Sequence, residues 1–328
     1  MGTERQHREP TFVDAVTTEL GGPRTGALLE KLAEAAPWEM LAEPIRPLYR
    51  HGEQGGRRPW PAVMMLKCLM LQKWFGLSDP QLEEQLRDRL SFRRFVGLSL
   101  EDQTPDETTF VRLRQRLREA NLDATLFDQT LAHLEAQGLI VKQGTLVDAT
   151  ILEAPRGRAK KDAAGRKIGH TRDPEASYTK KHGQTYHGYK GHIATDKRGL
   201  IVKQRFDTAK VHDSQHFDAL TADEPEGGAV YADSAYMDAR RKRDLEARGV
   251  YCGIIRRRVR GQKQLPEYQR LINRLLSMTR AIVEHAFAWM SQMGHDRARY
   301  RGLRRNAFDF ALMSVAYNIK RSLSLVPT

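Results

Sequence analysis

Three acidic residues lie among apolar neighbours, where a carboxylate is costly unless a cation or a set of amides answers it. Asp148 falls inside Thr145-Leu146-Val147-Asp148-Ala149-Thr150-Ile151. Asp233 closes Val230-Tyr231-Ala232-Asp233, and Glu284 sits in Arg280-Ala281-Ile282-Val283-Glu284-His285-Ala286-Phe287. Each has a plain structural explanation: backbone amides for Asp148, a helix cap for Asp233, an ion pair with Arg280 one turn away for Glu284. Together they describe chemistry. Two aspartates on neighbouring strands and a glutamate on a helix laid across them can converge on two divalent cations. Hard oxygen ligands suit Mg²⁺, with Mn²⁺ as its substitute. Such a pair of ions, about 4 Å apart, activates a water or a 3′-hydroxyl on one side of a phosphodiester and stabilises the leaving oxygen on the other.

The elements that must carry these acids follow from periodicity. Alternation from Gly144 predicts strands at 145–151, 189–196 and 200–206, a meander whose last two strands are joined by Asp196-Lys197-Arg198-Gly199. A helix near 213–222, a strand at 229–232, a basic helix at 237–248, a strand at 250–255 and a long helix from Glu267 complete a mixed α/β order. Ser277, Arg280, Glu284 and Ser291 then share one face of the long helix. The Gly-, Lys- and Arg-rich stretch at about 155–185 is expected to be a mobile basic loop.

The first 140 residues read as helical, so the expected organisation is a helical domain at 1–140, a candidate DNA binder, and a catalytic domain at 141–328. An apolar helix spans 61–75, and Ser78 with Gln81 forms a capping box. Thr104-Pro105-Asp106-Glu107 reads as a cap, a proline at the first helical position and a glutamate three residues after the cap. The helix that follows puts Phe110, Leu113, Leu117 and Ala120 on one stripe and leaves Arg112, Arg114, Arg116 and Arg118 around the rest. That pattern fits a helix-turn-helix DNA reader or a small domain with a salt-bridged face.

Charge narrows the partner. The 328 residues carry a formal net charge of +13, but residues 1–140 hold 18 Lys/Arg against 21 Asp/Glu and residues 141–328 hold 36 against 20. The positive field therefore belongs to the half that holds the acids, and it favours a polyanion such as nucleic acid. The two cysteines, Cys68 and Cys252, are too few for a disulfide scaffold or a cysteine-based zinc site, and a reducing cytosol is the expected compartment. No signal peptide or membrane span is expected, no Gly-x-x-x-x-Gly-Lys-Ser/Thr loop provides for a nucleotide cofactor, and no Gly-x-Ser-x-Gly elbow provides for a serine hydrolase.

Further motifs fall in a recognisable order. They are Arg58-Pro59-Trp60-Pro61, Trp74-Phe75-Gly76-Leu77-Ser78-Asp79, Pro105-Asp106-Glu107-Thr108-Thr109, the Asp148 strand followed by Glu153-Ala154-Pro155, and His187-Gly188-Tyr189-Lys190-Gly191-His192-Ile193. Val211-His212-Asp213, Ala232-Asp233-Ser234-Ala235-Tyr236 and Arg280 to Phe287 with Arg299-Tyr300-Arg301-Gly302-Leu303 complete the series. In this the sequence resembles bacterial insertion-sequence transposases of the DDE class, insertion-sequence-five type, over most of its length. The resemblance implies a ribonuclease-H-like core with Asp148, Asp233 and Glu284 as a metal-binding triad. It implies double-stranded DNA, the element's terminal inverted repeats and a target, as partner, a homodimer on that DNA, and a place at the bacterial nucleoid. Lys190, Arg256, Arg257, Arg258, Arg280, Arg304 and Arg305 are the expected DNA contacts. One departure stands out. The related pattern has a tyrosine three residues before the arginine and a lysine seven after the glutamate, where this chain has Ser277 and Ser291; Arg297, Arg299 or Arg301 are candidates to supply the missing charge. A catalytically silent DNA-binding derivative and a Mg²⁺-dependent nuclease without strand transfer are the alternative readings.

Overall fold

The computed structural model describes residues 24–49, 58–170, 172–181, 183–258 and 262–326. They divide into two compact units, 1–137 with 312–328, and 138–311.

In the first unit, helices α1 (Arg24–Ala35), α2 (Trp38–Ala42), α3 (Ala62–Trp74), α4 (Asp79–Asp88), α5 (Leu90–Val96), α6 (Glu107–Glu119) and α7 (Leu122–Ala136) surround an apolar centre. Helix α3 has almost no polar face, and it is buried on nearly every side, as such a composition demands. Trp38, Trp74 and Phe95 meet edge to face at centroid distances of 5.7–6.3 Å, the arrangement that ring quadrupoles favour. The Ser78–Gln81 capping box forms as its spacing requires.

Two expectations for α6 need correction. Its cap is Asp106 and not Thr104: the Asp106 carboxylate accepts the Thr109 amide at 2.7 Å and the hydroxyls of Thr108 and Thr109 at 2.8 Å, so Pro105 lies outside the helix. A carboxylate with three donors in reach outcompetes a single hydroxyl. Arg114 also does not face solvent. It is buried, paired with Asp79 and bonded to Gln72 at 3.1 Å, while Ala120 is exposed as the C-cap. Helix α5 stands between α4 and α6, so the two are not joined by a simple turn.

The second unit is built on a six-stranded sheet of β1 (Thr145–Glu153), β4 (Ser177–Lys181), β5 (Gln184–Thr195), β6 (Ile201–Thr208), β7 (Ala229–Ala232) and β8 (Tyr251–Ile254). Its strands run β6-β5-β1-β7-β8, with β4 also paired to β5. The β1–β5, β4–β5 and β5–β6 pairings are antiparallel, whereas β1–β7 and β7–β8 are parallel. Helices α8 (Ser214–Thr221), α9 (Ala239–Ala247) and α10 (Glu267–Gln292) flank the sheet, and α11 (Leu303–Ser322) closes the chain. An antiparallel meander continued by two parallel strands is the ribonuclease-H-like order. Val147, Ala194, Phe217, Leu220, Val230, Tyr236, Leu245 and Ile254 form its core.

The glycines of His187-Gly188-Tyr189-Lys190-Gly191 have a steric reason. A Cβ at Gly188 would sit 1.9 Å from the Leu152 carbonyl oxygen, and one at Gly191 would sit 2.4 Å from the Phe310 ring.

The stretch at 155–185 is not loop throughout. It carries a hairpin of β2 (Ala159–Lys161) and β3 (Lys167–His170), followed by β4 on the edge of β5. Strand β4 is Ser-Tyr-Thr-Lys-Lys, with no buried residue. Its ladder is held by backbone hydrogen bonds, which leave no hydrophobic alternation for a sequence to display.

His192 gives the first prediction. The side chain is fully buried on β5, packed at 4.5 Å centroid distance against His216, and among the described residues neither ring nitrogen has a hydrogen-bond partner. Burial, with the neighbouring His216 charge, lowers its pKa from 6.5 to about 4. A base whose pKa is depressed by folding is neutral in the native state, so the unfolded chain takes up more protons as pH falls. Stability should therefore drop by up to about 3 kcal/mol between about pH 6.5 and 4. His192→Leu should flatten that loss in urea unfolding at pH 7 and pH 4.5; an unchanged pH dependence would refute the assignment.

Candidate active site

The last parallel pair between β1 and β7 is Val147 with Ala232, and the residue that follows each in the chain is an aspartate. Neighbouring strands lie about 4.8 Å apart, so Asp148 and Asp233 leave the sheet side by side. Both line a cleft of about 190 Å³, together with Asp213, Lys180, Lys181 and Lys190. The Asp148 carboxylate accepts its own Ala149 amide at 2.9 Å, and that of Asp233 caps the turn Ser234–Tyr236 through the Ser234 amide. Burial pushes the Asp148 pKa up and the negative charge of Asp233 adds to the rise; the Ala149 amide, Arg280 and Lys181 oppose it.

Helix α10 packs against β1 and β7 and buries Leu276, Val283, Ala286 and Met290. Its Arg280 joins two of the acids, donating from Nη1 to Asp148 at 3.0 Å and from Nη2 to Glu284 at 2.6 Å. Glu284 is half exposed and reaches Asp148 only through this guanidinium. Among the described residues, no three His, Cys, Asp or Glu side chains gather as a metal site. The donor chemistry nonetheless fits a divalent cation. Two carboxylates share a cleft, burial and the neighbouring Asp233 charge disfavour the charged form of Asp148, and a cationic side chain already occupies the position between Asp148 and Glu284.

The expected DNA contacts fall into two groups. Lys190 is buried: its Nζ pairs with Asp213 at 2.8 Å and donates to the Val211 carbonyl at 3.0 Å. Arg280 is largely enclosed between its two acids. Arg256, Arg257 and Arg258 are exposed after β8, and Asn273 of α10 fastens Arg256 by two 3.0 Å bonds to its backbone. Arg304 and Arg305 are exposed at the start of α11. Ser277 and Ser291 are exposed on α10, as are Arg297 and Arg301 beyond it, whereas Arg299 donates to the Met293 carbonyl at 3.2 Å.

Asp213 is the site residue that reading the acids alone passes over. Its signal was the motif Val211-His212-Asp213, with no apolar strand around the carboxylate to mark it. His212 and His216 have the spacing of a helical metal pair, but His212 bonds Ser214 at 2.8 Å and His216 faces Asp207 at 3.4 Å.

A ribonuclease-H-like sheet in which one aspartate lies within a central strand and another follows the end of its parallel neighbour, both in a cleft rimmed by lysines, defines a class of phosphodiester-processing enzymes. Residues 140–319 match the family model of the transposase DDE domain, and residues 22–116 match that of a further transposase domain (DUF772). The chain belongs to the DDE transposase family, enzymes that use divalent metal ions to cleave DNA and transfer strands. A solved structure, the piggyBac transposase synaptic complex with hairpin DNA, is similar at 12% identity and a TM-score of 0.42, covering 90% of this chain and 74% of that one. No described helix is long and apolar enough to cross a membrane.

Proposed function

We propose that this transposase, of the insertion-sequence-five type, cleaves phosphodiesters at the terminal inverted repeats of its element and joins the freed 3′-hydroxyl to target DNA. It does so as a homodimer on DNA at the bacterial nucleoid. The observation that supports the reading is that Asp148 and Asp233, each the residue after the last parallel pair of β1 with β7, line one cleft with Lys180, Lys181 and Lys190. Asp148, Asp233 and Glu284 would hold divalent cations, Mg²⁺ or in its place Mn²⁺. Bound there, such ions supply Lewis acidity to the phosphodiester and lower the pKa of the attacking hydroxyl.

The chain's own side chains do the rest. The lysines draw a phosphate toward the acids, and Lys190, fixed by Asp213 and the Val211 carbonyl, presents its charge from a preset position. Arg280 neutralises Asp148 and Glu284 until the cleft is loaded, and then turns to phosphate. Incubating the purified chain with a duplex carrying an element end, a target plasmid and Mg²⁺ tests the reading. Joined products support it. Cutting without joining marks a nuclease, and binding without cutting marks a silent derivative.

The role of Arg280 is separately testable. Arg280→Gln leaves Asp148, Asp233 and Glu284 to repel one another, so the metal-free variant should melt below wild type, and Mn²⁺ should bind it roughly tenfold more tightly. Mn²⁺ titration followed by electron paramagnetic resonance, without DNA, measures the second effect. Equal or weaker binding would show that Arg280 does not compete with the cation.

A further inference from the structure

The helical unit contains a cavity of about 320 Å³ that cleavage chemistry leaves unused. Its wall brings the rings of Tyr49 and Trp60 together with Arg58, Arg112 and Arg116. Arg112 and Arg116 lie one turn apart on α6, both exposed, and among the described residues neither side chain makes a hydrogen bond or ion pair. Like charges at that spacing are mildly destabilising. The single carboxylate in the wall, Asp106, interacts with Arg112 while it caps the helix through the Thr108 and Thr109 donors, and one acid offsets only part of the charge of Arg58, Arg112 and Arg116. Arg114 of the same helix shows the contrast: its charge is met by Asp79.

A wall of three guanidinium groups against one carboxylate, beside two aromatic rings, matches a group that is anionic at one end and flat at the other. The volume lies near the lower end of small-ligand pockets, far too small for a duplex to enter. We propose that this cavity is a subsite for one unstacked nucleotide of a DNA strand, with its phosphate on Arg112 and Arg116 and its base against Trp60 or Tyr49. Phosphate recognition by arginine forks and base stacking on aromatic faces require no particular sequence. A paired duplex keeps its bases stacked and offers no free face, so the ligand is a single-stranded segment. Only the naming of DNA rests on the transposase reading.

The test uses the full chain in EDTA, where cleavage cannot occur, with a 5′-phosphorylated thymidine pentanucleotide as ligand and tryptophan fluorescence as readout. The pentanucleotide should quench wild type. Arg112→Gln with Arg116→Gln should weaken binding tenfold or more; both positions are exposed, and a melting curve checks that the fold is kept. Trp60→Leu should weaken it similarly and remove most of the quench, while Trp60→Phe, which preserves a stacking face, should stay within about threefold of wild-type affinity. The proposal is overturned if the double variant or Trp60→Leu binds like wild type, or if inorganic phosphate displaces the oligonucleotide at equal concentration. Asp148→Asn should leave the quench unchanged, so loss of this subsite and loss of the catalytic reading are separate results.

Discussion

Asp148→Asn and Asp233→Asn are each expected to slow cleavage of an element end by about 10⁴-fold or more, equivalent to roughly 5 kcal/mol of transition-state stabilisation. The reason is geometric. The two carboxylates leave neighbouring strands at the same level and share one cleft, so the amide that replaces either one keeps the shape but loses the charge. Binding to the end should change little, because basic side chains and not the acids carry the affinity. A single-turnover cleavage assay, paired with a gel-shift titration in Ca²⁺, separates the two quantities. Retention of more than about a tenth of wild-type cleavage by Asp233→Asn would defeat the assignment. Glu284→Gln belongs in the same series, and its result bears on whether Glu284 joins the aspartates once Arg280 lets go.

Binding of end-containing duplex should weaken steeply with salt. Each phosphate neutralised contributes a slope of about −0.9 in log affinity against log salt, so six contacts imply a loss of roughly a thousandfold between 50 and 200 mM. Arg256, Arg257, Arg258, Arg304 and Arg305 are exposed, as such contacts require. Arg304→Ala with Arg305→Ala should shallow the slope by about 1.8, which titrations at four salt concentrations resolve. An unchanged slope and affinity would show that this pair does not meet DNA. Lys190 is expected to behave differently: buried against Asp213, it should affect the rate of cleavage more than the salt slope.

The sheet was legible because its central strands bury their side chains. Val147, Val230 and Ala232 make β1 and β7 read as apolar runs interrupted by Asp148 in one and followed by Asp233 in the other, and the cost of placing Asp148 there points to a cation. The pairing of Glu284 with Arg280 was likewise readable from a spacing of four. What stayed hidden depends on backbone bonds and on distant partners. β4 has no buried residue and exists through its ladder to β5. Arg114 looks like its neighbours in sequence, yet Asp79, 35 residues earlier, draws it inside. Lys190 reads as one cation in a basic stretch, and only the turn before α8 that presents Val211 and Asp213 makes it an interior group.

The parallel pairing of β1 with β7 has a consequence for the order in which the molecule becomes competent. Thr145–Val147 must wait for Val230–Ala232 before the first acid gains its neighbour, and for α10 before Arg280 and Glu284 arrive. Contacts separated by this much chain form slowly and late in folding. During synthesis, a nascent chain already displays the lysines of residues 155–205 while its cutting centre does not yet exist. A chain that stops before α10 would therefore carry the lysines of residues 155–205 and Arg256, Arg257 and Arg258 but lack Arg280 and Glu284.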